Sequence, residues 1–218
     1  TASTNMKTLD FWFDSISPYA WLAFDGLPDA LEGLSYQVNY RPVLFAGLLA
    51  HWGQKGPAEI EPKRLWTYQD VAWRAHRQGL ALVVPAQHPF NPLPVLRLAL
   101  ACAHDGAMPN RWVVETIFRH VWEGGADAAD AQRIAQLQAR LQPQREPNDA
   151  SVKQALKAQT EQAIAQGIFG VPTVAVDGLK FWGADALPML SSYLRGDAWF
   201  SGPQWADAQK ARPALSRT

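Results

Sequence analysis

The chain has almost no sulfur available for covalent or metal chemistry, because its 218 residues include one cysteine, Cys102. A single cysteine excludes an intrachain disulfide framework and a cysteine-rich metal site, and we expect a cytoplasmic location. Excess charge is also lacking, since 20 Lys and Arg balance 20 Asp and Glu. Without a basic field, the chain is not expected to bind nucleic acid or anionic membranes. Its apolar runs are far too short to span a bilayer.

Targeting and metal-binding patterns are missing as well. Thr1–Lys7 is polar and lacks the apolar centre of a signal peptide, and one interpretation of Thr1–Asn5 is a non-native extension before Met6. No metal site is expected, because the histidines lack metal-ligand spacing to acidic or cysteine partners; they are His51, His76, His88, His104 and His120. Apolar residues make up 48% of the chain, enough for a full core. We assign most of the ten tryptophans to that core.

The chain opens with a β-α-β pattern. The mostly apolar segment Leu9–Asp14 predicts a strand covered on both faces. Ser17 is a favoured N-cap and Pro18 suits a first helical position, so a helix follows. We expect that helix to bend or break near Pro28. Alternation of apolar and polar residues over Tyr36–Arg41 predicts the second strand.

From about Leu44 to Gln166 the pattern is helical, interrupted by a proline-punctuated loop from Pro85 to Pro94. Glycines that follow periodic apolar segments predict several helix ends. The predicted helices run from Pro62 to a stop at Gly79, over Leu96–His104, Trp112–Trp122 and Ile134–Leu141, and from Val152 to Gln166.

Strand patterns return near the C-terminal end. Thr173–Val176 is a short apolar β run, Asp177-Gly178 is a strong hairpin signal, and Leu179–Trp182 pairs back. A last helix is predicted to open at Gly183–Asp185 and to run through Leu194.

This order of elements fits an α/β fold, in which a thioredoxin-like sheet is split into β-α-β and β-β-α halves by a large all-helical insertion. We predict a discontinuous thioredoxin-like domain of residues 7–43 and 168–197. Residues 44–167 would form the inserted helical domain.

Ser17 lies where a strand gives way to a helix. Free N–H groups point outward there, and the helix dipole favours negative charge. A thiolate at that point would gain about 0.3–2 kcal/mol from the dipole and about 1.5–3 kcal/mol from a hydroxyl donor. At about 1.36 kcal/mol per pKa unit, a thiol pKa of about 8.5 would fall to about 6.5. The alternative is an ordinary serine N-cap.

Val171-Pro172 directly precedes a predicted strand, where proline cannot donate to the ladder. If the bond is cis, the N–H and C=O of Val171 turn outward and can pair with an extended peptide. The alternative is a trans proline that marks the start of the strand.

Three motifs together resemble the 2-hydroxychromene-2-carboxylate isomerase family, which is related to kappa-class glutathione transferases and DsbA-like oxidoreductases. Ser17-Pro18-Tyr19-Ala20 stands where redox relatives carry Cys-Pro-X-Cys. Val171-Pro172-Thr173 matches the family's cis-proline segment, and Trp182–Asp185 resembles the segment that holds the γ-glutamyl end of glutathione. Because Ser17 and Ala20 lack sulfur, the chain cannot perform thiol–disulfide exchange at this site and would have to borrow a thiol.

The resemblance implies further binding residues for glutathione. Asp185 would accept hydrogen bonds from its amino group, with simple N-capping as the alternative. Ala184 departs from the polar residue common in the family, so only its N–H would contribute. Lys63 would contact the glycine carboxylate, with a solvated helix-start lysine as the alternative.

A second, aromatic substrate would occupy a neighbouring pocket. Trp52, Phe90 and Asn91 are candidates to line it, with packing in the core or loops as the alternative for each. The implied activity is glutathione-dependent isomerisation of 2-hydroxychromene-2-carboxylate, with glutathione regenerated as a cofactor. The alternatives are a kappa-like glutathione transferase and a non-catalytic glutathione-binding protein. Relatives are commonly dimers, so a homodimer is expected.

Overall fold

A computed structural model describes residues 6–216, so the interpretation of Thr1–Asn5 lies outside the described residues. The strands are β1 Lys7–Phe13, β2 Tyr36–Pro42, β3 Thr173–Val176 and β4 Leu179–Trp182. The helices are α1 Pro18–Ala30, α2 Phe45–Trp52, α3 Glu61–Gln78, α4 Leu93–Ala101, α5 Arg111–Trp122, α6 Ala131–Leu141, α7 Ala150–Ala165, α8 Leu187–Leu194 and α9 Pro203–Ala208. Within this range, no helix is both long and apolar enough to cross a membrane.

The four strands form one mixed sheet in the order β2-β1-β3-β4. β1 runs parallel to β2, with Phe11 opposite Tyr40, and antiparallel to β3, with Phe11 opposite Val174. β3 and β4 form the hairpin expected at Asp177-Gly178, where both residues have positive φ angles. The thioredoxin-like sheet with a helical insertion between β2 and β3 is therefore confirmed.

The insertion shares its core with the sheet. Phe118 of α5 packs against Phe13 of β1 and against Trp21 and Phe24 of α1, with ring centroids 5.3–5.5 Å apart. All four side chains belong to one buried apolar cluster. The domain boundaries at residues 43/44 and 167/168 stay a prediction, and the largest apolar cluster extends across them.

Of the bend or break expected near Pro28, the break is wrong, because α1 continues through Pro28 to Ala30. Proline has no N–H, so the carbonyl of Phe24, four residues earlier, loses its helical partner. The guanidinium of Arg111 donates to that carbonyl at 3.3 Å and lies over the Phe24 ring at 4.1 Å. A residue from the insertion thus replaces the missing hydrogen bond.

Helix α4 lies earlier than predicted, ending at Ala101 instead of His104. The backbone amides of Gln144 and Arg145 both donate to the Ala101 carbonyl, at 2.9 and 3.1 Å. The Arg145 guanidinium also binds the carbonyl of Leu100 at 2.9 Å. These contacts saturate the end of the helix from a segment distant in sequence, which local glycine signals did not predict.

Candidate active site

A cavity of about 660 Å³ opens between the start of α1, helix α3 and the β3–β4 end of the sheet. Its wall includes all six residues predicted to bind glutathione: Ser17, Lys63, Val171, Pro172, Ala184 and Asp185. The fold therefore brings the three sequence motifs to one place. Their roles remain predictions.

Ser17 is the N-cap of α1 and is only 8% exposed. Its Oγ accepts a hydrogen bond from the Ala20 N–H at 3.2 Å, so the hydroxyl hydrogen stays available to donate elsewhere. Pro18 has no N–H, and the Tyr19 N–H has no hydrogen-bond partner among residues 6–216. The start of α1 thus offers one hydroxyl donor and one amide donor to an anion.

The Val171–Pro172 peptide bond is cis, as the family resemblance implies. In the described part of the chain, neither the N–H nor the carbonyl of Val171 has a hydrogen-bond partner. The Pro172 carbonyl accepts from the Gly183 N–H at 2.9 Å, which ties the second motif to the third. Val171 therefore presents both backbone groups to a ligand, because it lies on the cavity wall.

The turn after β4 depends on Gly183, whose φ of 97° is unfavourable for any residue with a Cβ. This conformation places Ala184 and Asp185 on the cavity wall. Over residues 6–216, their backbone N–H groups have no hydrogen-bond partner. The segment combines two free amide donors with one carboxylate, which suits a group that carries both an anionic and a cationic end.

Helix α3 supplies a charged network on the same wall. Asp70 accepts from the Tyr19 hydroxyl at 2.7 Å and from Arg74 Nε at 2.8 Å, and these donors lower the pKa of the Asp70 carboxyl against the opposing effect of burial. Burial and the charge of Asp70 raise the pKa of Tyr19. The anchored guanidinium of Arg74 lines the cavity with Asp185. Sequence reasoning missed this network because its members lie on different helices.

Asp14 forms part of the cavity wall although its side chain is fully buried. One carboxyl oxygen accepts from the Ile16 N–H at 3.1 Å and the other from the Phe45 N–H at 3.0 Å. Desolvation raises the pKa of Asp14 to about 7, outweighing both hydrogen bonds. Asp14 was not among the predicted site residues, because an acidic residue at the end of an apolar strand does not by itself indicate burial.

His88 and Tyr68 also line the cavity and were not predicted as site residues. His88 Nε2 lies 2.8 Å from the carbonyl oxygen of Ile16, and Nδ1 lies 2.8 Å from the Tyr68 hydroxyl. The His88–Pro89 bond is cis. A histidine in a proline-rich loop was visible in the sequence, but its partners come from two other segments.

Two of the three predicted substrate-pocket residues lie outside this cavity. Trp52 instead donates its indole N–H to the Ile168 carbonyl at 3.0 Å. Asn91 uses its side-chain oxygen to accept from the Leu93 N–H at 3.1 Å, at the start of α4. Neither Trp52 nor Asn91 lies on the wall of this cavity, so their role in binding a second substrate stays a prediction. Phe90 does line the cavity.

Comparison with known proteins gives matches that cover most of the chain. A family model described as a DSBA-like thioredoxin domain matches residues 8–195. The 2-hydroxychromene-2-carboxylate isomerase of Sphingobium xenophagum is 31% identical over 196 residues, which cover 86% of this chain and 98% of that protein. Glutathione S-transferase kappa 1 of Homo sapiens is 28% identical over 221 residues, covering 90% and 94% respectively. Both relatives are named as enzymes.

Solved structures with the same architecture include a 2-hydroxychromene-2-carboxylate isomerase with a TM-score of 0.75. The match covers 93% of this chain and all of that one at 23% identity. A probable DsbA oxidoreductase from Streptomyces coelicolor matches with a TM-score of 0.60 at 15% identity and covers 97% of this chain and 94% of its own. At these identities the structural matches establish the fold alone.

Proposed function

Because the chain belongs to the DSBA-like thioredoxin domain family, we propose that it uses this scaffold as a glutathione-dependent isomerase. Its substrate would be 2-hydroxychromene-2-carboxylate or a similar aromatic hemiketal. The product would be the trans-o-hydroxybenzylidenepyruvate isomer. The relative that is named as a 2-hydroxychromene-2-carboxylate isomerase supports this choice over a redox activity.

One observation carries the proposal: the anion-binding start of α1 lies on a large cavity, and neither Ser17 nor Ala20 supplies sulfur. The chain's one cysteine, Cys102, caps the far end of α4, and burial raises its pKa to about 11. A thiolate at Ser17 must therefore arrive with a ligand. Glutathione carries such a thiol together with the charged ends that the remaining wall residues suit.

The arrangement of the wall supports a single orientation for the tripeptide. Its cysteinyl backbone would pair with the free N–H and carbonyl of Val171, which brings the sulfur toward Ser17. The ammonium of the γ-glutamyl end would bind Asp185, and its carboxylate would accept from the Ala184 N–H. The glycine carboxylate would lie near Lys63 at the cavity mouth.

In this mechanism Ser17 donates its hydroxyl hydrogen to the glutathione sulfur and favours the thiolate. The thiolate adds to the conjugated carbon of the hemiketal, and ring opening leaves a single bond that can rotate. Elimination of glutathione then gives the trans isomer. The chain contributes a positioned, ionised thiol and donors for developing negative charge.

A kappa-like glutathione transferase is the second candidate, favoured by the 28% identity to the human kappa enzyme over most of both chains. Product analysis distinguishes the two, because a transferase consumes glutathione and an isomerase regenerates it. A non-catalytic glutathione-binding protein would bind the tripeptide without lowering its thiol pKa. Ultraviolet titration of the bound thiolate would detect that case, and an unshifted pKa would contradict both enzyme proposals.

We expect Ser17→Ala to lower isomerase turnover at least tenfold, because the thiolate loses its hydroxyl donor. The measurement is turnover with and without added glutathione, with the bound thiol pKa as a second readout. Ser17→Ala also removes a helix N-cap, so the control is Asn110→Ala, which removes the N-cap of α5 away from the cavity. Equal turnover in Ser17→Ala and the native chain would reject the role of Ser17.

A further inference from the structure

The His88 ring is held on both nitrogens next to the proposed thiol site. Nε2 lies 2.8 Å from the carbonyl oxygen of Ile16, the residue directly before Ser17, and Nδ1 lies 2.8 Å from the hydroxyl of Tyr68. The ring also packs against Trp122 in a tilted arrangement, with centroids 5.3 Å apart. These contacts connect a hydroxyl on the cavity wall to the turn that carries Ser17.

The partners of His88 fix where its proton resides. A carbonyl oxygen can only accept, so Nε2 carries the hydrogen that binds Ile16. Burial lowers the pKa of His88, against the raising effect of the hydrogen bond to Ile16, so the ring is neutral near pH 7. Nδ1 then has a free lone pair and accepts the hydroxyl hydrogen of Tyr68.

The same partners also satisfy the protonated ring. If Nδ1 takes up a proton, it donates to the Tyr68 oxygen, while Nε2 keeps its bond to Ile16. The hydroxyl of Tyr68 has a second acceptor nearby, because the backbone carbonyl of His88 lies 3.2 Å from it. Neither protonation state therefore leaves a polar atom of the pair without a partner, which is what a group that takes up and returns a proton requires.

The proposed isomerisation needs a proton to move between two oxygens of the substrate. The hemiketal hydroxyl loses its proton as it becomes a ketone, and the former ring oxygen gains one as it becomes a phenol. Resting on the proposed function, we propose that Tyr68 is the catalytic residue for this transfer and that His88, acting through Tyr68, is the positioning residue that stores the proton.

The transfer balances without any further reactant. As the ring C–O bond breaks, the hemiketal proton passes to the Tyr68 oxygen, and the hydrogen of Tyr68 passes to Nδ1 of His88. The electrons of the broken C–O bond remain on the departing phenolate oxygen. That oxygen then takes its proton from Tyr68, which recovers its own hydrogen from His88, and the pair returns to its starting state.

Other charged groups share the cavity and set its electrostatics. Its wall carries four acidic and four basic side chains: Asp14, Glu59, Asp70, Asp185, Lys55, Lys63, Arg64 and Arg74. The charge of Arg64 lowers the pKa of Tyr68, although burial raises it by more. The test therefore compares variants that leave all of these charged groups in place.

We expect Tyr68→Phe to lower the kcat of isomerisation about 100-fold, within the range of general acid–base contributions. His88→Gln should lower kcat by a similar factor, because an amide nitrogen can still donate to the Ile16 carbonyl but cannot take up a proton. The matched controls lie outside the cavity. Tyr193→Phe removes a hydroxyl bound to Asp177, and His120→Gln alters a buried histidine bound to the Ala128 carbonyl.

A structural role for His88 predicts a different result from a proton-storing role. In the native chain, kcat should fall at acidic pH with a midpoint set by the His88–Tyr68 pair and distinct from that of the bound thiol. In His88→Gln the remaining activity should follow thiol ionisation alone. Ultraviolet titration should give the same glutathione thiol pKa in the native chain and in both cavity variants.

The outcomes separate this inference from the proposed function. Absence of glutathione-dependent isomerase turnover in the native chain would contradict the proposed function and the relay with it. Native turnover with less than threefold loss in Tyr68→Phe and His88→Gln would overturn the relay alone. A shifted thiol pKa in His88→Gln would also overturn it, because the residue would then act only by holding the turn at Ser17.

Discussion

The Asp14 carboxyl group lies inside the protein, held by two backbone amides, and no residue from 6 to 216 forms a salt bridge with it. Its folded-state pKa of about 7 lies above the ordinary value of 3.8. Between these two pH values the folded chain keeps a proton that the unfolded chain has released. The free energy of unfolding contributed by Asp14 is therefore greatest at low pH and decreases as pH rises toward 7.

We expect this loss to be on the order of 4 kcal/mol between about pH 4 and pH 7. It is measured as the difference in unfolding free energy between the native chain and Asp14→Asn, by denaturant titration at several pH values. The asparagine loses one amide contact, a cost that does not depend on pH. Taking the difference also cancels the contributions of His88 and His120 to the unfolding free energy. Their pKa values are lowered, so their contributions change with pH in the opposite direction. A pH-independent difference would contradict the prediction.

Individual site residues differ in how far the sequence could predict them. Ser17, Val171 and Asp185 lie in short contiguous motifs whose chemistry is local: a helix start, a residue before proline, and a glycine turn. Tyr68 and His88 are single polar residues, and their place in the site depends on a contact between two segments that are distant in sequence. No local pattern encodes such a contact, and a buried carboxyl such as Asp14 is equally silent until its surroundings are known.

Helix α1 owes its length to a contact with another helix. Pro28 leaves the Phe24 carbonyl without an N–H partner, and Arg111 of α5 supplies one while also binding the Tyr40 hydroxyl at 2.9 Å. A buried carbonyl without a partner costs about 1–3 kcal/mol. Arg111 therefore compensates for the proline and joins α1, α5 and β2.

A double-mutant cycle tests this compensation. We expect Arg111→Met to destabilise the chain by about 2–3 kcal/mol, and by about 1 kcal/mol less in a Pro28→Ala background. The reason is that residue 28 then regains an N–H for the Phe24 carbonyl. The four unfolding free energies come from denaturant titrations, and simple additivity of the two changes would refute the compensation.

Regular elements were predictable where the responsible signals are local. Helix α3 begins and ends within one residue of the positions expected from Pro62 and Gly79. The hairpin at Asp177-Gly178 also forms as its sequence predicts. The errors occur where a distant residue decides the outcome. Arg111 extends α1 beyond Pro28, and Arg145 saturates the end of α4.

On the scale of the whole molecule, the sheet and the inserted helices are one packing unit. Phe118 from the insertion contacts residues of β1 and α1 within a single buried cluster. Neither half can lose its structure without exposing the apolar side chains of the other. The chain should therefore unfold in one cooperative step despite its interrupted topology.

We expect far-ultraviolet circular dichroism and tryptophan fluorescence to give coincident unfolding curves. Phe118→Leu should lower the unfolding free energy by about 1–2 kcal/mol and shift both curves together, because the cavity it leaves borders both halves. Trp112→Leu is the control on the same helix, since Trp112 is 48% exposed and should change stability by about 0.5 kcal/mol or less. Separate transitions in the two signals would show independent halves.

The lack of sulfur at Ser17 and Ala20 has a consequence for durability. An enzyme whose reactive thiol is part of its own chain is lost when an electrophile or an oxidant modifies that atom. Under the proposed function, the vulnerable atom belongs to a diffusible tripeptide, so a spoiled sulfur departs and an intact one takes its place. The protein would therefore stay active after the thiol of one bound glutathione has been modified.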